Sequence, residues 1–312
     1  MTEWKGLYSS LVTLQVLERM TKIFNNKLHL LAIKLMILSL VFESQNIFAD
    51  TIKVAVFKDH YSEIYHHVSN GRCPDIESFV LNDNQMLAEF LIFCNALKRA
   101  DYNHKINLIA YPVSKRALQA IEKSDVIASG YGLWHTEIVK HNLQVSQHLL
   151  NNNEFTKGLY TTKVLSQKLN NKNEFNASEL IVLANQNWVQ DWTALNCTEL
   201  NLVHVDRYEQ MFKMLELGRA ELLPLTFSAK KNLQRTAFNS TLFPIHGVKV
   251  TFSDSLHFGV NTSSKQGVEL YSALSSGLTS LKNEGVIEDV YKRLGVTNPR
   301  VKNWNELGCD KQ

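Results

Sequence analysis

The sequence predicts an α/β protein of two lobes, each a mostly parallel sheet flanked by helices. Three observations predict it. Strand-length runs rich in β-branched residues alternate with amphipathic helices from residue 51 onward, a polar passage near residues 149–163 interrupts the series, and a second alternating series then begins. Extended crossovers join the two series.

The elements follow in order. TIKVAVF (residues 51–57) reads as a strand, and residues 83–102 carry Met86, Phe90, Phe93 and Leu97 at helical spacing. INLIAYP (106–112) is a second strand stopped by Pro112, SKRALQAIEKS a short helix, and Asp125 to Trp134 a third strand. This β-α-β-α-β order implies parallel pairing with helical crossovers. In the second series ELIVLANQ (179–186) and LNLVHV (200–205) are strands, NWVQDWTAL and DRYEQMFKMLELGRA helices, and ELLPL (221–225) a further strand. SAKKNLQRTAF is read as a helix, and Thr241 to Val260 as extended. The end is a long amphipathic helical region broken near Gly285 and stopped by Gly295.

Composition narrows the function classes. The 312 residues are 45% hydrophobic and 20% charged, with 13 Gly and 5 Pro, a globular balance that excludes collagen-like and mostly disordered chains. The net charge of +3 is spread over the sequence with no basic stripe, which argues against nucleic acid as a partner. Residues 28–42, LHLLAIKLMILSLVF, are apolar apart from His29, Lys34 and Ser39, and ESQNIFA follows, ending at Ala49. A run this short, followed by a small residue, reads as a cleaved export signal over residues 1–49. A start at Met20, giving MTKIFNNK with Lys22 and Lys27 and no acid, makes the better leading segment. The alternative is a buried first helix or a retained anchor. Five basic and three acidic residues lie in 1–49, so the exported remainder is close to neutral.

Four cysteines, Cys73, Cys94, Cys197 and Cys309, allow three disulfide pairings in an exported chain. Cys73 with Cys94 and Cys197 with Cys309 is the favoured set, and free buried thiols the alternative. No C-x-x-C or H-E-x-x-H occurs, and His66 and His67 are adjacent rather than on one helix face, so neither a metal nor a cofactor is expected.

Four stretches carry a resemblance: IKVAVF at the start, DVIASGYGLW as third strand, YEQMFKMLELGRAELLPL in the second series, and the segment from SDSLHFGVN to DVYKRLG at the end. In order and spacing the chain resembles the family 3 extracellular solute-binding proteins, over residues 51 to about 300. The resemblance implies the type II periplasmic-binding-protein fold, with two lobes closing on a small ligand, a strand returning to the first lobe, and a closing pair of helices, so that residues 51–157 and 252–312 form one lobe and 158–251 the other. It also implies a transporter permease or a sensor as partner, a periplasmic location and a monomer.

The sequence departs from that family at both charged clamps. Members that bind amino acids carry T-x-x-R after the third strand, for the ligand carboxylate. Here Thr136 is followed by Glu137, Ile138 and Val139, with Lys140 one position late. The second-lobe acid that holds the amine is absent too, since LPLTFS offers Thr226 and Ser228.

Ligands of open α/β sheets sit outside the carboxyl ends of the strands. That rule selects Asp59, His60 and Tyr61 after the first strand, Ser129, Tyr131 and Trp134 on the third, Asn187 and Trp188 at a strand-to-helix turn, and Thr226 after the Pro224 strand. Aromatic faces with neutral donors suit a planar, polar or cyclic solute and would hold a cation by the ring faces. Ordinary roles compete: core packing for Tyr131 and Trp134, helix capping for Asn187, an exposed loop for His60. A solute-binding protein without catalytic residues is the expected function. The alternatives are an enzyme resembling cyclohexadienyl dehydratases, which would need a buried acid and a carboxylate-gripping arginine, and a degenerate member acting through a protein partner.

Overall fold

The computed structural model describes residues 51–68, 73–81, 83–170 and 177–308; the expected export segment over 1–49 and Cys309 lie outside them. In the first series β1 (Thr51–Phe57) leads through α1 (Tyr61–Val68) and α2 (Gln85–Arg99) to β2 (Lys105–Tyr111). Then come α3 (Ser114–Glu122), β3 (Ala128–Ser129), β4 (Leu133–Trp134), α4 (His135–Lys140) and β5 (Gln144–Val145). β1 pairs in parallel with β2 from Thr51↔Lys105 to Phe57↔Tyr111, and on its other side with β3. Ile52, Val54 and Val56 pack into one core with α2, whereas Ala55 faces a separate core with Ala117, Leu118 and Ile121 of α3. That alternation is the period of two of a strand with helices on both faces.

The second series runs through β6 (Thr156–Thr161), α5 (Lys163–Asn170), β7 (Ile181–Ala184), α6 (Val189–Asn196), β8 (Asn201–His204) and α7 (Tyr208–Glu216). It closes with β9 (Leu223–Thr226), β10 (Arg235–Ala237) and the long β11 (Ser240–Thr251). The chain returns through β12 (Leu256–His257) and β13 (Gly259–Val260), then α8 (Lys265–Asn283), α9 (Val286–Leu294) and β14 (Asn305–Leu307). The first sheet has the order β2-β1-β3-β13-β5, so the returning strand is inserted antiparallel between β3 and β5. The second follows β10-β11-β6-β9, with β14 beside β11. The mixed α/β class and the returning strand are those expected.

Four details differ from expectation. The main path of the second sheet is antiparallel, because β6 and β11, the two strands next to the crossings, run in opposite directions. The polar passage near 149–163 contains β6, a central strand of that sheet. The third strand is not continuous: Gly132 turns its N–H to the Glu89 carboxylate at 2.8 Å, separating β3 from β4. SAKKNLQRTAF is not helical. Arg235 donates to the Thr226 and Phe227 carbonyls, both at 2.7 Å, which folds the segment back on β9, and Phe238 and Asn239, at φ 49° and 63°, turn β10 into β11.

Two covalent and steric features hold the first core together. Cys73 and Cys94 are joined by a disulfide that ties the segment before α2 to that helix; Cys197 is also disulfide-bonded. Helices α2 and α8 approach so closely at Gly277 that a Cβ there would lie 1.8 Å from the Ala96 carbonyl oxygen. Gly277→Ala must push the helices apart, and we expect a loss of about 1–3 kcal/mol in urea unfolding; an unchanged midpoint would contradict this packing.

Candidate functional site

The chain passes between the two sheets at two extended crossings, Phe155 just before β6 and Phe252 just after β11, before α8 and α9 carry it over once more to β14. The two crossings touch, the Phe252 N–H donating to the Phe155 carbonyl at 3.1 Å. Both rings are buried, and Trp134, at the end of β4, lies stacked on Phe252 (centroids 5.5 Å apart, planes 13° apart) and edge-on to Phe155 (5.3 Å). Three aromatic residues thus floor the junction of the sheets.

Lys157 stands two residues beyond Phe155 and shares its face of the strand. Its ammonium lies 5.8 Å from the Phe155 ring centre, 5.5 Å from Phe252 and 5.8 Å from Trp188, each within cation–π range. It is ion-paired with Asp191 in the first turn of α6, where the helix N-terminus also favours a negative charge. The pair is largely out of water, at 14% and 8% side-chain exposure.

Beside this pair a polar network spans the junction. Gln190 of α6 donates its side-chain amide to Thr136 Oγ1 at 2.9 Å and to Asp254 at 3.1 Å. The same Asp254 oxygen accepts from the Thr136 N–H (3.2 Å) and hydroxyl (2.7 Å), while the Ser255 N–H reaches the other oxygen at 2.8 Å. Glu137, one residue on, has its carboxyl raised above the usual range, chiefly by burial and next by the charge of Asp254. In an Asp254→Asn variant the Glu137 midpoint, followed by carbon NMR of the side-chain carboxyl, moves down toward the ordinary value. An unmoved midpoint would remove Asp254 from the causes. Because the shift is upward, the stability Glu137 contributes is greatest in acid and is lost as pH rises from its unfolded toward its folded midpoint.

Of the residues selected from sequence, the structure brings Trp134 and Trp188 into this constellation. Trp188, half-buried, packs edge-on against Tyr208 at 5.7 Å. Ser129 and Tyr131 are buried, at 0% and 2% exposure. The Ser129 hydroxyl accepts the Gly259 N–H at 2.9 Å, joining β3 to β13, and Tyr131 packs on Phe57 at 4.6 Å. Asp59 is exposed in the turn before α1, His60 half-buried with its imidazole held below its usual pKa chiefly by burial, and Tyr61 stacked on Tyr65 at 5.7 Å. Asn187 is exposed and its N–H donates to the Asn185 side chain at 2.8 Å, a turn leading into α6. Thr226 Oγ1 accepts from Arg235 at 2.6 Å.

Sequence reasoning missed Phe155, Lys157, Gln190, Asp191, Phe252 and Asp254. A signal was present for two pairs: F-x-K in a strand and W-x-x-D in a helix each place an aromatic and a charge on one face. Among the described residues no group of three or more His, Cys, Asp and Glu side chains is placed to hold a metal ion.

No family model matches the sequence, and no curated protein matches it. Solved structures similar to it include amino-acid-binding proteins of ABC transporters. The substrate-binding protein AbpA from Streptococcus pneumoniae, bound to L-arginine, is 15% identical, with a TM-score of 0.48 over 78% of this chain and 95% of that one. The binding component of an ABC transporter from Wolinella succinogenes, complexed with lysine, is 13% identical, with a TM-score of 0.49 over 80% and 97%. An ancestral amino acid-binding protein described as a precursor of cyclohexadienyl dehydratase is 13% identical, with a TM-score of 0.47 over 78% and 94%. No helix among the described residues is long and apolar enough to cross a membrane.

Proposed function

We propose that the chain is an exported solute-binding protein, without catalytic activity, that captures a small polar solute between its two sheets and delivers it, as a monomer, to an inner-membrane permease or a sensor in the periplasm. The observation that carries this reading is the junction itself. Two touching crossings at Phe155 and Phe252 form a hinge, and the polar contacts across it include the hydrogen bonds from Gln190 to Thr136 and Asp254 and, farther out, Asp83 facing Lys230 and Arg235. A hydrogen bond contributes about 1 kcal/mol between neutral groups and about 1.5–3 kcal/mol to a carboxylate such as Asp254, a set small enough to open and re-form as a solute enters. Trp134 and Trp188, half-buried there, offer ring faces to a planar or cyclic solute.

The enzyme reading has less to draw on. Arg235 of β10 is committed to the Thr226, Phe227 and Asp83 carbonyls, and the buried acids Glu89, Asp191 and Asp254 to Gly132 and Tyr291, to Lys157, and to Thr136, Gln190 and Ser255 respectively. All four are engaged within the chain rather than presented to a carboxylate or a leaving group.

A thermal-shift panel tests the proposal. The protein is stripped of carried-over solute by denaturation and refolding with disulfides intact, then heated with amino acids, polyamines, cyclic acids and sugars. A solute at about 100 times its dissociation constant adds about 2.7 kcal/mol, a rise of a few degrees for a chain of this size. A folded protein silent to the whole panel would turn the reading toward a protein partner.

A further inference from the structure

We infer that Asp191 with the rings of Phe155, Trp188 and Phe252 forms an ammonium-binding site that the chain fills with its own Lys157. A carboxylate alone would neutralise a buried lysine. Here three rings from three separate segments converge as well, all within 6 Å of one nitrogen. Aromatic cages of this kind are how proteins take up alkylammonium ions. The charge around the site points the same way: Asp191 is paired with the ammonium, and Asp254 and Glu137 stand in the adjoining network.

The site at the floor of the junction is already occupied by an ammonium, so a solute held between the sheets is selected through its other groups, against Trp134, Gln190 and Thr136. A primary amine is then no requirement for binding, in keeping with the absence of an amine-holding acid in LPLTFS, which offers Thr226 and Ser228. The site itself stands independently of any solute, and a silent solute panel leaves it untouched.

Cutting back the lysine tests it. Lys157→Ala retains Cβ and removes a fragment that n-propylammonium replaces atom for atom. In n-propylammonium chloride the full-length Lys157→Ala protein should gain a few degrees in melting temperature over the same concentration of sodium chloride, with saturable binding by calorimetry. The wild type, and Lys157→Met, whose side chain keeps the space filled, should respond to the two salts alike. Adding Asp191→Asn to Lys157→Ala should abolish the gain. An equal response of all four proteins, or no response from a folded Lys157→Ala protein, overturns the inference. If Lys157→Ala does not fold unaided, its refolding yield with and without n-propylammonium is the readout, and an unchanged yield overturns it equally.

Discussion

Asp191→Ala lowers the stability of the folded protein by about 3–5 kcal/mol, the cost of leaving one member of a buried ion pair without its partner. Without Asp191 the Lys157 amine stands unpartnered where rings and β-sheet have replaced water, and at 14% side-chain exposure it cannot recover full hydration without moving strand β6. For a chain of this size the loss appears as a drop of roughly 10 °C in melting temperature. The size of the drop depends on the lysine remaining. In Asp191→Leu with Lys157→Met both charges go together, apolar contacts replace them, and much of the stability returns. A double-mutant cycle in urea therefore gives a large coupling between the two positions. A cycle that closes additively, with each single variant near neutral, would show that the two side chains do not depend on each other.

Loss of the Cys73–Cys94 disulfide has the next largest effect. The bond closes a loop of 21 residues in sequence separation, and restricting the unfolded chain over such a length stabilises by about 3 kcal/mol. Replacing both cysteines by alanine should lower the unfolding free energy in urea by that amount, with an equal or somewhat steeper slope because the unfolded chain is less compact without the bond. The segment so tied carries Ile76, buried in the first core, and its Ile76 and Phe79 carbonyls accept from Arg293 of α9 at 2.9 and 3.0 Å. The effect of the double replacement therefore extends to α9, which hydrogen exchange would report as faster exchange in Val286–Leu294. Equal stability of the two proteins under oxidising conditions would contradict this account.

What was legible in the sequence was local. Thr51–Phe57 declares itself by alternating β-branched residues, α2 by apolar residues at helical spacing, and α8 and α9 by glycines at 285 and 295 that take φ of 74° and 80°. The illegible parts owe their state to distant neighbours. β6 follows an asparagine run and carries a lysine that reads as solvent-facing, yet Lys157 is largely out of water because Asp191, 34 residues away, and Phe252 meet it. β10 looks like a basic helix until Arg235 finds the carbonyls at the end of β9. Trp134 and Trp188 were singled out from sequence because strand ends and helix starts are recognisable positions. Their companions were not, since nothing local marks a residue whose burial is conferred by another segment. Ser129 and Tyr131 show the converse: their positions at a strand end are as read, but packing takes them out of contact with solvent.

If the junction floored by Trp134, Phe155 and Phe252 holds a small solute, the protein carries that solute through native purification. Mass spectrometry of what the natively purified protein releases on acid denaturation tests it without any guess at the ligand. Wild-type protein should release one small polar compound in near-equimolar amount, and folded Trp134→Ala and Trp188→Ala variants much less. Release of the same compound at the same level from both variants would place its site elsewhere, and release of no compound, together with a silent solute panel, would contradict the account.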